Sequence, residues 1–384
     1  MADASGRAAY AVAGPDAQTV WVQAFVAAAD GSVLATDVVE RPVWPADRVW
    51  PGDATPADLA GYAAVSGALR LEGADDAALS LPDLVEVGGD VVLWEAPALR
   101  EVALPALRWV GGDLALYDDP QVGGVDAPAL ERVGGSLTAY WMPGLRDLDG
   151  LASLAVIGGD LALYHDLALQ RVDGPPLVRV GGGVQLWELE ALEAVSWPAL
   201  LGIGGRLDLF QDDALTALSA PALAELGGYE LHHCDRMADV GRFDALRAVR
   251  GEVAVRYDAA LTGLQGLGDV EAMGALSVQF SDALTTLSDL AALRELALGL
   301  EVVRCGGLTA VDLPALERAA VVSVRGNLAL SEVGLPALQE AQTVGFADDP
   351  ALPDCDVVAL AERVGATAQC SGNLEDACTP SCAP

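Results

Sequence analysis

Lysine is absent: all 21 basic residues are arginine, set against 56 Asp and Glu for a formal net charge of −35. Such a chain falls outside the classes that neutralise phosphate backbones with Lys and Arg, so nucleic acid is excluded as a partner. An anionic membrane surface would repel it equally. Long apolar runs are missing too. Polar residues interrupt each hydrophobic stretch well short of the ~18 residues a membrane helix requires, which argues against membrane insertion. Residues 1–15 lack the basic and apolar regions of a signal peptide, although a processed chain would look the same. Core material is not missing. Hydrophobic residues make up 52% and charged residues 20%, which sets the chain apart from disordered acidic tails.

What is present is a repeat. Gly-Gly pairs begin at Gly88, Gly111, Gly134, Gly158, Gly181, Gly204 and Gly227, and single glycines continue the series at Gly251 and Gly274, in steps of 23 or 24 residues. One unit reads Leu99-x-x-Val102-x-x-Pro105-Ala106-Leu107-x-x-Val110-Gly111-Gly112-x-Leu114-x-Leu116-Tyr117. The Pro-Ala-Leu block persists at Pro128, Pro198, Pro221, Pro314 and Pro336. Alternation in Leu114-x-Leu116 has the period of a strand. A unit this short cannot hold a strand and a full crossover helix. The units must therefore stack as a mainly β, parallel β-solenoid with about 13 coils of 22–24 residues, running from Leu69 to Phe346. At ~4.8 Å per strand the rod is roughly 60 Å long. Leu99, Val102, Leu107, Val110, Leu114 and Leu116 are expected inside. Gly-Gly before the strand suits a corner where a side chain would collide or φ must be positive.

Both ends of a solenoid need covering. Thr55-Pro56-Ala57-Asp58 predicts a capping helix to about Val65, and residues 356–364 predict a second. Residues 1–54 fall outside the repeat. Alternation around Val20-Trp21-Val22 and an Asp30-Gly31 turn predict a small β meander followed by a Pro/Trp-rich linker. The domains are then 1–54, the solenoid with its N-terminal cap over 55–354, and a Cys-rich cap over 355–384. Cys355, Cys370, Cys378 and Cys382 are disulfide candidates, with 355–370 and 378–382 the preferred pairing. This clustering favours an oxidising compartment. Cys234 and Cys305, three rungs apart, are expected as buried free thiols.

The run PALRWVGGDLALYDDPQV resembles the repeat of the receptor L-domain family, over about residues 55–380. The resemblance implies a right-handed, leucine-rich-repeat-like solenoid that is usually extracellular and non-enzymatic, with a sheet face that contacts partners. A single receptor L domain has roughly half this number of coils, so no receptor's ligand geometry carries over.

The residue after the second core position points out of the sheet. That column reads Trp94, Tyr117, Tyr140, Tyr164, Trp187 and Phe210, with His232 next if the seventh rung slips by one. The neighbouring outward column is small or polar: Val92, Ala115, Thr138, Ala162, Gln185 and Asp208. From Arg256 onward the first column turns polar. Three readings stay open: a ligand-binding platform, a ladder that only stabilises the sheet, or a surface covered by the meander through Trp21 and Phe25.

A second column is acidic: Asp119, Asp166, Asp212, Asp258 and Asp349, with Asn327 in the same place. Each is expected to cap its own turn; a calcium ion along the edge is the alternative, the one cofactor considered. His232 and His233 are expected on opposite strand faces and so unable to share a zinc ion, and no other metal-ligand spacing is present. Neither a nucleophile elbow nor a Walker loop occurs, so no catalytic residue is assigned. The expectation is a secreted, periplasmic or cell-surface protein that binds a protein or glycan through its aromatic face. A structural spacer or surface-layer component is the alternative, and a polysaccharide-active enzyme is less favoured.

Overall fold

The computed structural model of the chain describes residues 61–73 and 77–374, together with the backbone of four earlier strands, Arg7–Val12, Thr19–Ala27, Val33–Trp44 and Arg48–Trp50. The chain is a mainly β, parallel β-solenoid. Each repeat adds one strand to a long sheet, in register with the strand one repeat back. Leu114–Tyr117 pairs with Val91–Trp94 on one side and Leu137–Tyr140 on the other, so that Leu114 stacks between Val91 and Leu137. Shorter parallel strips, such as Ala78–Ser80, Glu101–Ala103 and Val125–Asp126, make up another side of the coil.

The interior follows from the repeat. Leu99, Val102, Leu107, Val110, Leu114 and Leu116 are all buried, and the same positions supply one continuous core along the rod. Pro-Ala-Leu makes the corner. In each copy the residue before the proline offers its carbonyl to the Leu N–H three residues on, as in Leu107 to Leu104 at 3.0 Å and Leu130 to Ala127 at 3.0 Å. Proline suits this second turn position because its φ is already set. The Gly-Gly corner needs glycine because of collision and not because of φ. A Cβ on Gly111 would lie 2.1 Å from the Gly88 carbonyl oxygen, and one on Gly134 would lie 2.2 Å from that of Gly111. From Gly202–Phe210 onward the corner and face strands merge into single long strands with a register shift, and the paired glycines fade.

The thirteen expected rungs are present, and the parallel sheet extends past both ends of them. Arg48–Trp50 pairs with Leu69–Leu71, and Thr367–Ser371 pairs with Thr343–Ala347. The three earliest strands form an antiparallel meander, as expected, and its last strand continues into the rod by pairing Val43 and Trp44 with Ala64 and Val65. The side chains of Trp21 and Phe25 lie outside the described residues. So do residues 55–60 of the expected N-terminal helix, and its expected end is instead the strand Ala64–Val65, drawn into the ladder by pairing with Glu86–Val87.

Among the described residues there is one α-helix, α1 (Asp354–Val364), which lays Val357, Val358, Leu360 and Ala361 on the last coils and ends at Gly365 with φ 69°. Asp354 and Asp356 sit in its first turn, where the helix dipole favours negative charge. The expected Cys355–Cys370 bridge does not form. Cys355 sits in the first turn of α1, whereas Cys370 lies on the strand Thr367–Ser371. Cys370 is disulfide-bonded; Cys378 and Cys382 lie outside the described residues. Cys234 and Cys305 are buried free thiols. No helix of the described residues is long and apolar enough to cross a membrane.

Candidate functional site: an aromatic ladder on the sheet face

The sheet register brings the expected column together. Trp94, Tyr117, Tyr140, Tyr164, Trp187, Phe210 and His232 are successive partners in the ladder, and a register shift in the seventh rung places His232 opposite Phe210. Ring centroids are 6.4 Å apart for Tyr140–Tyr164, 5.0 Å for Tyr164–Trp187, 6.1 Å for Trp187–Phe210 and 5.0 Å for Phe210–His232. The rings stand on the outer face and remain open: Trp94 is 45% exposed, Tyr140 37% and Trp187 38%.

Polar neighbours hold the rings. The Tyr164 hydroxyl donates to Gln185 Oε1 at 3.0 Å, and the indole of Trp187 favours the charged form of the Asp208 carboxylate. Burial, reinforced by Glu230, lifts Asp208 to about 6 against the opposing pull of Arg206 and Trp187. Glu230 in turn is clasped by Arg206 and Arg256. Burial and the adjacent His233 lower the pKa of His232, which favours a neutral ring in the stack.

The sequence reading missed a second aromatic column. The residue after each stripe position adopts a left-handed conformation: φ is 56° at Trp141 and His165, 59° at Tyr257 and 54° at Phe280. Non-glycine residues there carry a cost of about 1–3 kcal/mol each. Because the same turn recurs in rung after rung, it belongs to the architecture. A simple strand reading would send these side chains inward; the positive φ swings them out beside the stripe. Trp141 is 52% exposed and lies 5.7 Å from His165. His165 Nδ1 meets Glu188 Oε2 at 2.7 Å.

The turn also corrects the histidine pair. His232 and His233 share a side and stack at 4.7 Å, because His233 leaves the strand at φ 56°. The ladder crosses there into the second column, through His233–Tyr257 at 5.0 Å and Tyr257–Phe280 at 4.5 Å with rings 4° from parallel. The Arg304 guanidinium covers Phe280 at 5.8 Å from the ring centre. Among the described residues no three His, Cys, Asp or Glu side chains converge as a metal-binding group.

Compared with family models, curated proteins and solved structures, the chain matches none of them.

One residue beyond the left-handed position the chain turns inward, and there the acidic column lies. Asp119, Asp166, Asp212, Asp258 and Asp349 are fully buried. They do not cap their own turns as expected. Each carboxylate reaches back one rung to a main-chain N–H that has no ladder partner. Asp119 Oδ1 accepts from Ala96 at 2.7 Å, Asp166 from Met142 at 2.8 Å, Asp212 from Leu189 at 2.9 Å and Asp258 from Cys234 at 2.8 Å. The carboxylates alternate with these apolar or thiol side chains, so they do not stack against one another as a calcium-bridged edge would require. The other oxygen, Oδ2, has no hydrogen-bond partner in any of the five. Burial lifts their pKa values: Asp119 and Asp349 to about 6, Asp166 and Asp258 to about 7, and Asp212 well above the carboxylate range.

Proposed function

We propose that the chain is a non-enzymatic extracellular recognition protein of receptor L-domain type, which binds a protein or glycan on the aromatic face of its solenoid. The observation that carries this reading is the column of rings in successive rungs from Trp94 to Phe210, with Trp94, Tyr140 and Trp187 exposed and ring contact continuous from Tyr140 on. A ladder needed only for sheet stability gains from cross-strand pairing and has no need of rings standing in solvent. Rigid aromatic surface supplies large contact area at small entropic cost.

The competing reading is a spacer or surface-layer rod, favoured by the unbroken parallel sheet. A pull-down from surface extracts and a glycan array separate the two, comparing wild type with the Tyr117→Ser, Tyr164→Ser, Trp187→Ser triple variant. Circular dichroism establishes that both are folded. Recognition predicts a ligand retained by wild type and lost by the folded variant; identical behaviour supports the spacer.

A further inference from the structure

We propose that the ligand of this face is an extended, arginine-rich polypeptide segment, bound along the five rungs from Trp94 to Trp187. The proposal rests on the recognition reading and adds the chemistry of the partner. Beside the rings these five rungs carry the carboxylates of Glu95, Asp118 and Glu188; at the corners that open the strands they carry Asp90, Asp113 and Asp160, each of which also accepts a main-chain N–H of the next rung, and no arginine lies in between. Arg70 lies 3.6 Å from Asp90, and His165 meets Glu188. Glu95 and Asp118 are exposed directly beside Trp94 and Tyr117.

The other half of the same face is different. There Glu230 is held by Arg206 and Arg256, and Glu301 by Arg325 at 2.8 Å. That half is neutralised from within, whereas the ring-bearing half keeps its negative charge. The far end of the ladder also displays the contact proposed for the near end: Arg304 lies over the face of Phe280. Guanidinium groups both stack on rings and fork a carboxylate, so a column of rings flanked by carboxylates at Glu95, Asp118 and Glu188 suits arginine better than lysine.

Ring tilt argues against a neutral sugar polymer. Neighbouring rings stand at 71° for Tyr140–Tyr164, 55° for Tyr164–Trp187 and 67° for Trp187–Phe210, which leaves clefts between them instead of a flat pavement. A neutral glycan laid here could hydrogen-bond the carboxylates through its hydroxyls but would bring no positive charge to offset theirs.

The test uses the full chain and a fluorescein-labelled oligo-arginine peptide, read by anisotropy over a salt series. An oligo-lysine peptide of equal length and a neutral chito-oligosaccharide are run alongside. The proposal expects the arginine peptide to bind more tightly than lysine. It expects at least about tenfold loss in the Tyr140→Ser, Tyr164→Ser, Trp187→Ser variant, whose charge is unchanged. A similar loss is expected in Glu95→Gln, Asp118→Asn, whose ladder is intact and whose fold is not at risk. Equal binding of the arginine peptide to wild type and both variants overturns the proposal, since attraction to a −35 rod alone would behave so. If the sugar binds wild type and is lost with the rings, the recognition reading survives and the cationic ligand fails. If neither probe senses the rings, both fail.

Discussion

Asp166 accepts a hydrogen bond from the main-chain N–H of Met142, 2.8 Å away and one coil back. The same bond recurs in alternate coils from Asp119 to Asp258 and again at Asp349, so five buried carboxyls tie neighbouring turns together, each with one oxygen unpartnered. Asn373, in the same column, shows what a donor does there: its Nδ2 donates to the Phe346 carbonyl at 2.9 Å while its Oδ1 accepts from Asp349 N–H at 3.0 Å. A neutral carboxyl has an O–H to use in that way; an ionised one does not.

Stability is therefore expected to fall as pH rises. The folded pKa values of Asp166 and Asp258 stand at about 7, above the ordinary 3.8, so the folded state binds more protons within that window. The stabilisation is complete below the unfolded value and is lost as pH climbs through the folded one. Thermal unfolding across this range should show a declining Tm, and Asp166→Asn with Asp258→Asn should flatten the decline while raising Tm at the alkaline end. A Tm that rises with pH in wild type would refute this.

The Gly-Gly corner makes a steric prediction. Gly134→Ala should cost at least about 1–3 kcal/mol by urea unfolding, because its Cβ would meet the Gly111 carbonyl, which is main chain and cannot swing away. Gly123→Ala, whose nearest neighbour is the Gly144 oxygen at 3.8 Å, should stay within about 0.5 kcal/mol. Equal effects at the two sites would contradict the packing described.

Tyr229 is the buried exception among the described tyrosines. Its hydroxyl donates to the Val240 carbonyl at 2.8 Å and its ring meets Phe243 edge-on at 5.8 Å. Tyr229→Phe keeps the ring and strands a buried acceptor, which should cost about 1–3 kcal/mol in the same assay. No loss would mean that the carbonyl finds another partner.

Cys234 and Cys305 should resist thiol reagents. Both are fully buried; burial pushes Cys305 up to about 11 and Cys234 well above its ordinary value. Mass spectrometry after iodoacetamide treatment should find neither labelled in the native protein and both labelled in denaturant. Rapid native labelling would reveal local opening of the rod.

Much of this was legible without coordinates because a solenoid repeats its physics. Period-two alternation in Leu114-x-Leu116, recurring every 23 or 24 residues, leaves stacked parallel strands as the only compact solution, and with them the core and the ring column from Trp94 to Phe210. Three things required the tertiary structure. The second ring column, with Trp141, Tyr257 and Phe280, depends on a left-handed residue closing each strand, a backbone choice that ordinary side chains do not announce. The direction of the Asp119 and Asp166 carboxylates depends on where the neighbouring coil leaves an unpaired N–H. The Cys370 pairing depends on which cysteine the folded end of the chain brings to the strand Thr367–Ser371, and that cysteine is not Cys355. Sequence determines what repeats, because burial and alternation are local and periodic; tertiary structure decides what passes between coils, because those contacts join residues that only stacking makes neighbours.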